Sequence, residues 1–368
     1  MPLEPLFVAA TKQDMGKTAV TLGLLHALRE LGRDVGYMKP VGQHYVSLEG
    51  CDVDEDVVLM REAFDLRDNP ADMNPVTVPR NFTREYIANR DPAPLERKVQ
   101  DSYGKLAATH GMLLVEGTGH AGVGSCFDMS NAHVAELLRA AVVIVTDGGI
   151  GKAIDEISLS LNLFERHGAR VLGVILNKVW PEKIMSIEGA LRQGLENIGT
   201  RLLGVIPHCA DLGNPRMEEV VDKLKGHVLC GEEGLTGRVD HTVIAAMKAK
   251  DVLPYIQENT LVITPGDRLD NISLALSKRS ELAGSGKTVS GLILTGGFAL
   301  PDSVYNLARA SGIPVVQCDS DTYSVATAIR NATYKIQPDD AARIDLTKRI
   351  VGENFDAASL ANALRQGP

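Results

Sequence analysis

The chain has 368 residues, 44% of them hydrophobic and 23% charged, which suits a globular protein of two domains. Its net charge of −9 argues against general nucleic-acid binding and against docking on an anionic membrane, since neither attracts an acidic surface. No apolar run approaches the roughly 18 residues of a bilayer-spanning helix, the start MPLEPLFVAATK carries no basic leader, and five cysteines without a C-x-x-C pair fit a reducing cytoplasm rather than a zinc ribbon or disulfide framework.

In chain order, strand-like segments fall at 6–11, 34–41, 111–117, 140–147, 170–178 and 201–208. They are rich in Val, Ile and Leu and alternate little, as when both faces of a strand are buried. Helical patterns lie between them, among them TAVTLGLLHALRELG, DEDVVLMREAFDL, AIDEISLSLNLFERHG and SIEGALRQGLENIG. The stripe SNAHVAELLRA reads as core. Such alternation predicts parallel β-α units with ligands beyond the carboxyl ends of the strands. A break at 222–240, rich in glycine and charge, precedes a smaller β-α region with strands at 260–266, 290–298 and 313–319 and a helical tail. The expected division is one domain over 1–222 and another over 223–368.

The first strand runs into TKQDMGKT, residues 11–18, and then into a helix. That is the context of a phosphate-binding loop, in which backbone N–H groups converge at a helix N-terminus. Thr11, Asp14, Met15, Gly16, Lys17, Thr18 and Ala19 form the candidate nucleotide-binding set. Gly16 permits close backbone approach, Lys17 reaches the outer phosphates, and the Thr18 hydroxyl is offered to Mg²⁺. Lys12 stands five residues before Lys17, a spacing that resembles the deviant Walker A ATPases, where such a lysine reaches across a dimer. A second GKT, in GSGKT at 284–288, follows a charged helix instead of a buried strand and reads as a turn. Glu116 ends a buried strand where a carboxylate can serve the metal. Asp52, Asp54 and Asp56 form D-x-D-x-D, but Val57 and Ala63 stand where a calcium loop needs glycine and glutamate. Asp56 remains a metal candidate, while Asp52 and Asp54 read as an acidic helix start.

FVAATKQDMGKTAVTLGLLHAL, GYMKPVGQ, DVVLM, MNPVTVP, LLVEGTG, GVILNKV and LLGVIPH follow in an order that resembles dethiobiotin synthetase. The resemblance implies a parallel α/β fold, a homodimer, and use of ATP and Mg²⁺. It carries Lys17, Thr18, Asp56 and Glu116 over as phosphate and metal groups, Lys39 as a cation near the transferred phosphate, and Asn177 as a contact to adenine. Ala10, Lys12, Gly42-Gln43 and the loop GTGHAGVGSCFD depart from that family and predict a substrate other than the biotin precursor. NKVW lacks the aspartate of guanine readers, which favours adenine.

A resemblance across nearly the whole chain rests on DEDVVLMREAF, NPVTVPRNFTREYI, and ITPGDRLDN followed by LTGG. These are similar to the amino-terminal regulatory half of long phosphotransacetylases, a synthetase-like domain joined to a DRTGG domain. The fold class implied is α/β, a parallel-sheet P-loop NTPase domain followed by a smaller α/β domain of DRTGG type. Asp267, Arg268, Thr295, Gly296 and Gly297 become the candidate ligand site of the second domain. With the sequence ending at Pro368, acetyl transfer is not expected of it. Cobyrinate amidating synthases share the first domain, but no cysteine here sits in a glycine-rich elbow. Loop residues His44 and His120 read as polar, and Arg80 and Arg84 either bind an anion or pair on a helix surface.

Two functions follow. One is a nucleotide- and metabolite-responsive regulator acting on a partner enzyme, with ATP hydrolysis left open. The other is an ATP-dependent ligase that phosphorylates a carboxylate, with Lys12, Lys17 and Lys39 as the catalytic cations.

Overall fold

Six buried apolar runs line up as one parallel sheet in a computed structural model that describes residues 4–43, 45–281 and 288–364, without the side chains of 278–281. The strands of the chain are β1 Leu6–Ala10, β2 Val35–Met38, β3 Val41–Gly42, β4 Tyr45–Leu48, β5 Cys51–Asp54, β6 Val76–Thr77, β7 Met112–His120, β8 Ala141–Asp147, β9 Val171–Val179, β10 Leu202–Pro207, β11 His227–Cys230, β12 His241–Ile244, β13 Thr260–Pro265, β14 Val289–Thr295 and β15 Val315–Gln317. The six-stranded sheet has the order β10-β9-β8-β1-β7-β2, all parallel. After β1 the chain first builds to one side and later to the other, so the segment after β1 lies at the switch point where parallel sheets collect ligands. β1 and the central residues of β8 are fully buried, which explains their unbroken apolar sequence.

The chain divides into two compact units, Met1–Cys209 with Ile336–Pro368, and Ala210–Lys335. The tail counted with 223–368 on sequence therefore packs in the first unit. Its helix Ala341–Glu353 lies against helix α1, Lys17–Glu30, where a Cβ on Gly23 would overlap Val351. Glycine allows the close crossing, and Arg343 is buried in that helix with its guanidinium on Asp340.

The second unit has a sheet of order β11-β15-β14-β13-β12, parallel except for β11, which closes one edge antiparallel to β15. Strand β11 falls inside the segment read as a break on sequence. Strands β4 and β5 form a hairpin, so the acidic run 52–54 is strand, and helix α2, Glu55–Phe64, begins only after it. The GSGKT segment lies outside the described residues except for Thr288, and so does His44.

Candidate functional site

The loop after β1 is anchored before it turns. Thr11 donates its N–H to the Val145 carbonyl at 3.0 Å, and its hydroxyl meets that of Thr146 at 2.9 Å. Asp14 and Gly16 take left-handed backbone angles, φ 60° and 80°, a strain that glycine avoids by having no Cβ. Helix α1 starts at Lys17 with no side-chain cap and no acid in its first turn, so the helix supplies no carboxylate of its own to its leading N–H groups. Two side chains from β9 pin the loop: Asn177 donates to the Met15 carbonyl at 2.8 Å and Lys178 to the Asp14 carbonyl at 2.7 Å. The Asn177 amide is thus engaged with the loop backbone.

Beside the loop is a buried ionic cage. Lys39, just past β2, is 5% exposed; its ammonium contacts Asp56, with Asp54 at 3.3 Å and Glu116 at 3.5 Å. Thr18 donates to Glu116 at 2.8 Å, and the Tyr37 hydroxyl donates to the same carboxylate at 3.1 Å. Burial pulls the Lys39 pKa down, but Asp56, Glu116 and Asp54 outweigh it and hold the ammonium well above its ordinary value. Burial also raises Glu116, against Lys39, and raises Tyr37. Lys17 is lowered, first by burial and then by Lys39, with Glu116 pulling the other way. Counted formally, three carboxylates face two ammoniums and leave one negative charge.

The hairpin positions this cage. Asp54 ends β5, caps α2 by accepting from the Asp56 N–H at 3.2 Å, and accepts the Gln43 N–H at 3.0 Å. Asn74 ties the floor, donating to the Lys39 carbonyl at 2.6 Å and accepting from the Asp54 N–H at 2.9 Å. A depression of about 430 Å³, lined by Gln43, Tyr45, Val46, Glu55, Val78 and Arg80, opens beside Asp54. Tyr37, Asn74 and Lys178 were not singled out on sequence, and Asp54, named there with Asp52 and Asp56, was read as part of an acidic helix start. Only Asp54 carried a signal, its place two residues before Asp56.

Other candidates stand apart from the cage. Lys12 pairs with Glu156 on helix Gly151–Arg166. Asp52 is exposed on the hairpin opposite Ser47, and Arg84 is exposed on helix Phe82–Ala88. His120 accepts the Gly122 N–H at 3.1 Å. At the carboxyl ends of β9 and β10, Trp180 and His208 stack with ring centres 4.2 Å apart.

In the second unit, Pro265 and Thr295 are register partners, so the segments holding Asp267-Arg268 and Gly296-Gly297 emerge side by side. Arg268 donates to the Ala246 carbonyl at 3.0 Å and the Met247 carbonyl at 2.8 Å, and pairs with Asp270. Thr295 meets the Thr322 hydroxyl at 2.7 Å, while the N–H groups of Gly296 and Gly297 go to the carbonyls of Ser320 and Cys318. These contacts build the end of the sheet, and Asp267 is exposed above it.

A family model described as an AAA domain matches residues 4–216, and one described as a DRTGG domain matches 219–332. A phosphate acetyltransferase of Nitratidesulfovibrio vulgaris is 29% identical, aligned over 98% of this chain and 51% of that protein. One from Pseudomonas putida is 27% identical over 97% of this chain and 51% of its own length. The chain spans about half the length of these relatives. An ATP-dependent dethiobiotin synthetase of Nitrosopumilus maritimus is 29% identical over 60% of this chain and 96% of its own.

Proposed function

Since the chain belongs to the AAA domain family, here a P-loop, dethiobiotin synthetase-like domain followed by a DRTGG domain, we propose that it binds ATP with Mg²⁺ at residues 11–19 and serves as a nucleotide- and metabolite-responsive regulator. The observation that carries the reading is the cage itself: Lys39 held by Asp54, Asp56 and Glu116, next to Thr18 and Lys17. A buried cation so firmly held needs a reason beyond stability, because buried ion pairs stabilise little over an apolar core.

An all-oxygen set of Thr18, Glu116 and Asp56, with one formal negative charge in excess, fits Mg²⁺, which takes one or two carboxylates and completes its shell with water and phosphate. Bound there, the ion would neutralise phosphate charge. Lys17 and Lys39 would face the outer phosphates, the N–H groups at the start of α1 would receive phosphate oxygens, and Lys12 would serve a partner subunit once released from Glu156. The stacked Trp180 and His208, near Asn177, offer a flat face to the base. Asp267, Arg268, Thr295, Gly296 and Gly297 would form the second domain's small-molecule site, and a partner enzyme would receive its signal.

The ligase reading has one observation in its favour, the depression beside Asp54, where Arg80 could hold a carboxylate substrate. Thermal-shift measurement with Mg²⁺ and ATP tests the shared premise, because a ligand that binds the folded state raises stability by RT ln(1+[L]/Kd). The native chain is expected to shift and the Lys17→Ala variant not to. An equal shift in both removes the site. Phosphate release with a panel of carboxylates and amines then separates ligase from regulator: a substrate-dependent rise abolished by Lys17→Ala supports the ligase.

A further inference from the structure

We propose that His133, Glu136 and His167 form a binding site for a divalent transition-metal ion, zinc by its ligand chemistry, separate from the phosphate loop. Among the described residues these three bring their ligand atoms within 4.8 Å of one another. His133 and Glu136 stand three apart on helix Asn131–Leu137 and so share a face. His167 caps the carboxyl end of helix Gly151–Arg166. It lies eleven residues past Glu156, the partner of Lys12, or about 16 Å along the helix at 1.5 Å per residue.

The hydrogen bonding is what points to a cation. His133 Nε2 lies 2.8 Å from Glu96 Oε1. A carboxylate only accepts, so Nε2 carries the proton and, in the neutral ring, Nδ1 keeps its lone pair. That lone pair faces Glu136 Oε2 at 3.4 Å, acceptor against acceptor. His167 Nδ1 approaches the same oxygen at 2.7 Å. The two rings are 5.8 Å apart and tilted by 57°, so both nitrogens turn toward one region. A metal ion accepts all three lone pairs at once, whereas a proton on His167 Nδ1 satisfies only its own contact to Glu136 and leaves the His133 lone pair against the carboxylate.

Two imidazoles and one carboxylate are a recurrent zinc set, with the fourth position left to water. Ligand atoms about 2.0–2.2 Å from a tetrahedral ion stand about 3.3 Å from one another; the two histidine nitrogens lie 3.4 and 2.7 Å from the Glu136 oxygen, on either side of that value. Glu96 supplies the outer carboxylate that fixes the ring tautomer of a metal-bound histidine. Nitrogen ligands favour zinc and its neighbours over magnesium. The ion would join the helix after β7 to the far end of the helix whose first turns hold Lys12.

The full chain, stripped of metal with a chelator and titrated with zinc chloride by calorimetry, decides the matter. One zinc per chain is expected, weakened at least tenfold by His167→Ala and by Glu136→Gln, with the magnesium response unchanged by either substitution. Glu136→Gln is nearly isosteric and half-exposed, so it preserves the fold, and circular dichroism verifies that. Cobalt in place of zinc gives a second readout, a visible tetrahedral band that both variants lose. Absence of zinc binding overturns the proposal, as does binding that both variants retain.

Discussion

Lys39 concentrates the electrostatics of the first unit in one side chain. Its ammonium lies within 4 Å of Asp54, Asp56 and Glu116 at once. Lys39→Met is therefore expected to destabilise the fold by about 3–5 kcal/mol, the range for stranding buried charge. The deficit should shrink as pH falls, because the stranded carboxylates then take up protons; urea denaturation at pH 5 and pH 8 measures both. His110 supplies a second titrating group. Burial disfavours its charge, yet hydrogen bonds to Asp34 at 3.1 Å and Asp68 at 2.9 Å prevail and raise its pKa. A raised histidine pKa contributes stability fully below the ordinary imidazole value and loses it as pH rises through the folded value. His110→Gln should thus lower the urea midpoint more at pH 6 than at pH 9. The loop lysine and threonine were legible because their role depends on a local spacing. Tyr37 and Asp54 were not, because their role depends on meeting Glu116 and Lys39 from other segments.

At the scale of elements, the hairpin β4–β5 decides whether the acidic run serves a helix or the cage. Along β5 Val53 and Asp54 are both buried while Asp52 faces solvent, so Asp54 at the strand's end escapes the simple period of two and enters the cage. Helical periodicity over DEDVVLM hid this, since α2 begins within it. The pairing of α1 with helix Ala341–Glu353 yields a prediction of its own. Alanine favours a helix over glycine by about 1 kcal/mol, but at position 23 its methyl would overlap Val351, and overpacking costs about 1–3 kcal/mol. Gly23→Ala should lower the melting temperature, and combining it with Val351→Gly, which removes the Cβ standing 2.2 Å from the added methyl, should cost less than the sum of the two single losses, as coupled neighbours do. Full additivity of the two substitutions would contradict the contact. The helix Asn131–Leu137 teaches the same lesson: its buried residues Ala132, Val134 and Ala135 justify the reading as core, while His133 and Glu136 turn outward.

For the whole molecule, Lys12 makes the oligomeric state informative. If it serves a partner subunit, sedimentation with Mg²⁺ and ATP should show a dimer that Lys12→Ala weakens; a monomer with nucleotide bound would end that role. Buried β-branched strands, a glycine-lysine-threonine turn between strand and helix, and the two-part α/β plan follow from local pattern, so sequence alone determined them. Strand burial on both faces and loop geometry are properties of a few consecutive residues. The carboxylates that enclose Lys39, the packing of the final helices in the first unit, and the meeting of His133 and Glu136 with His167 were decided only by tertiary structure. Each joins positions tens to hundreds of residues apart, and it is sheet order, not periodicity, that sets which of them touch.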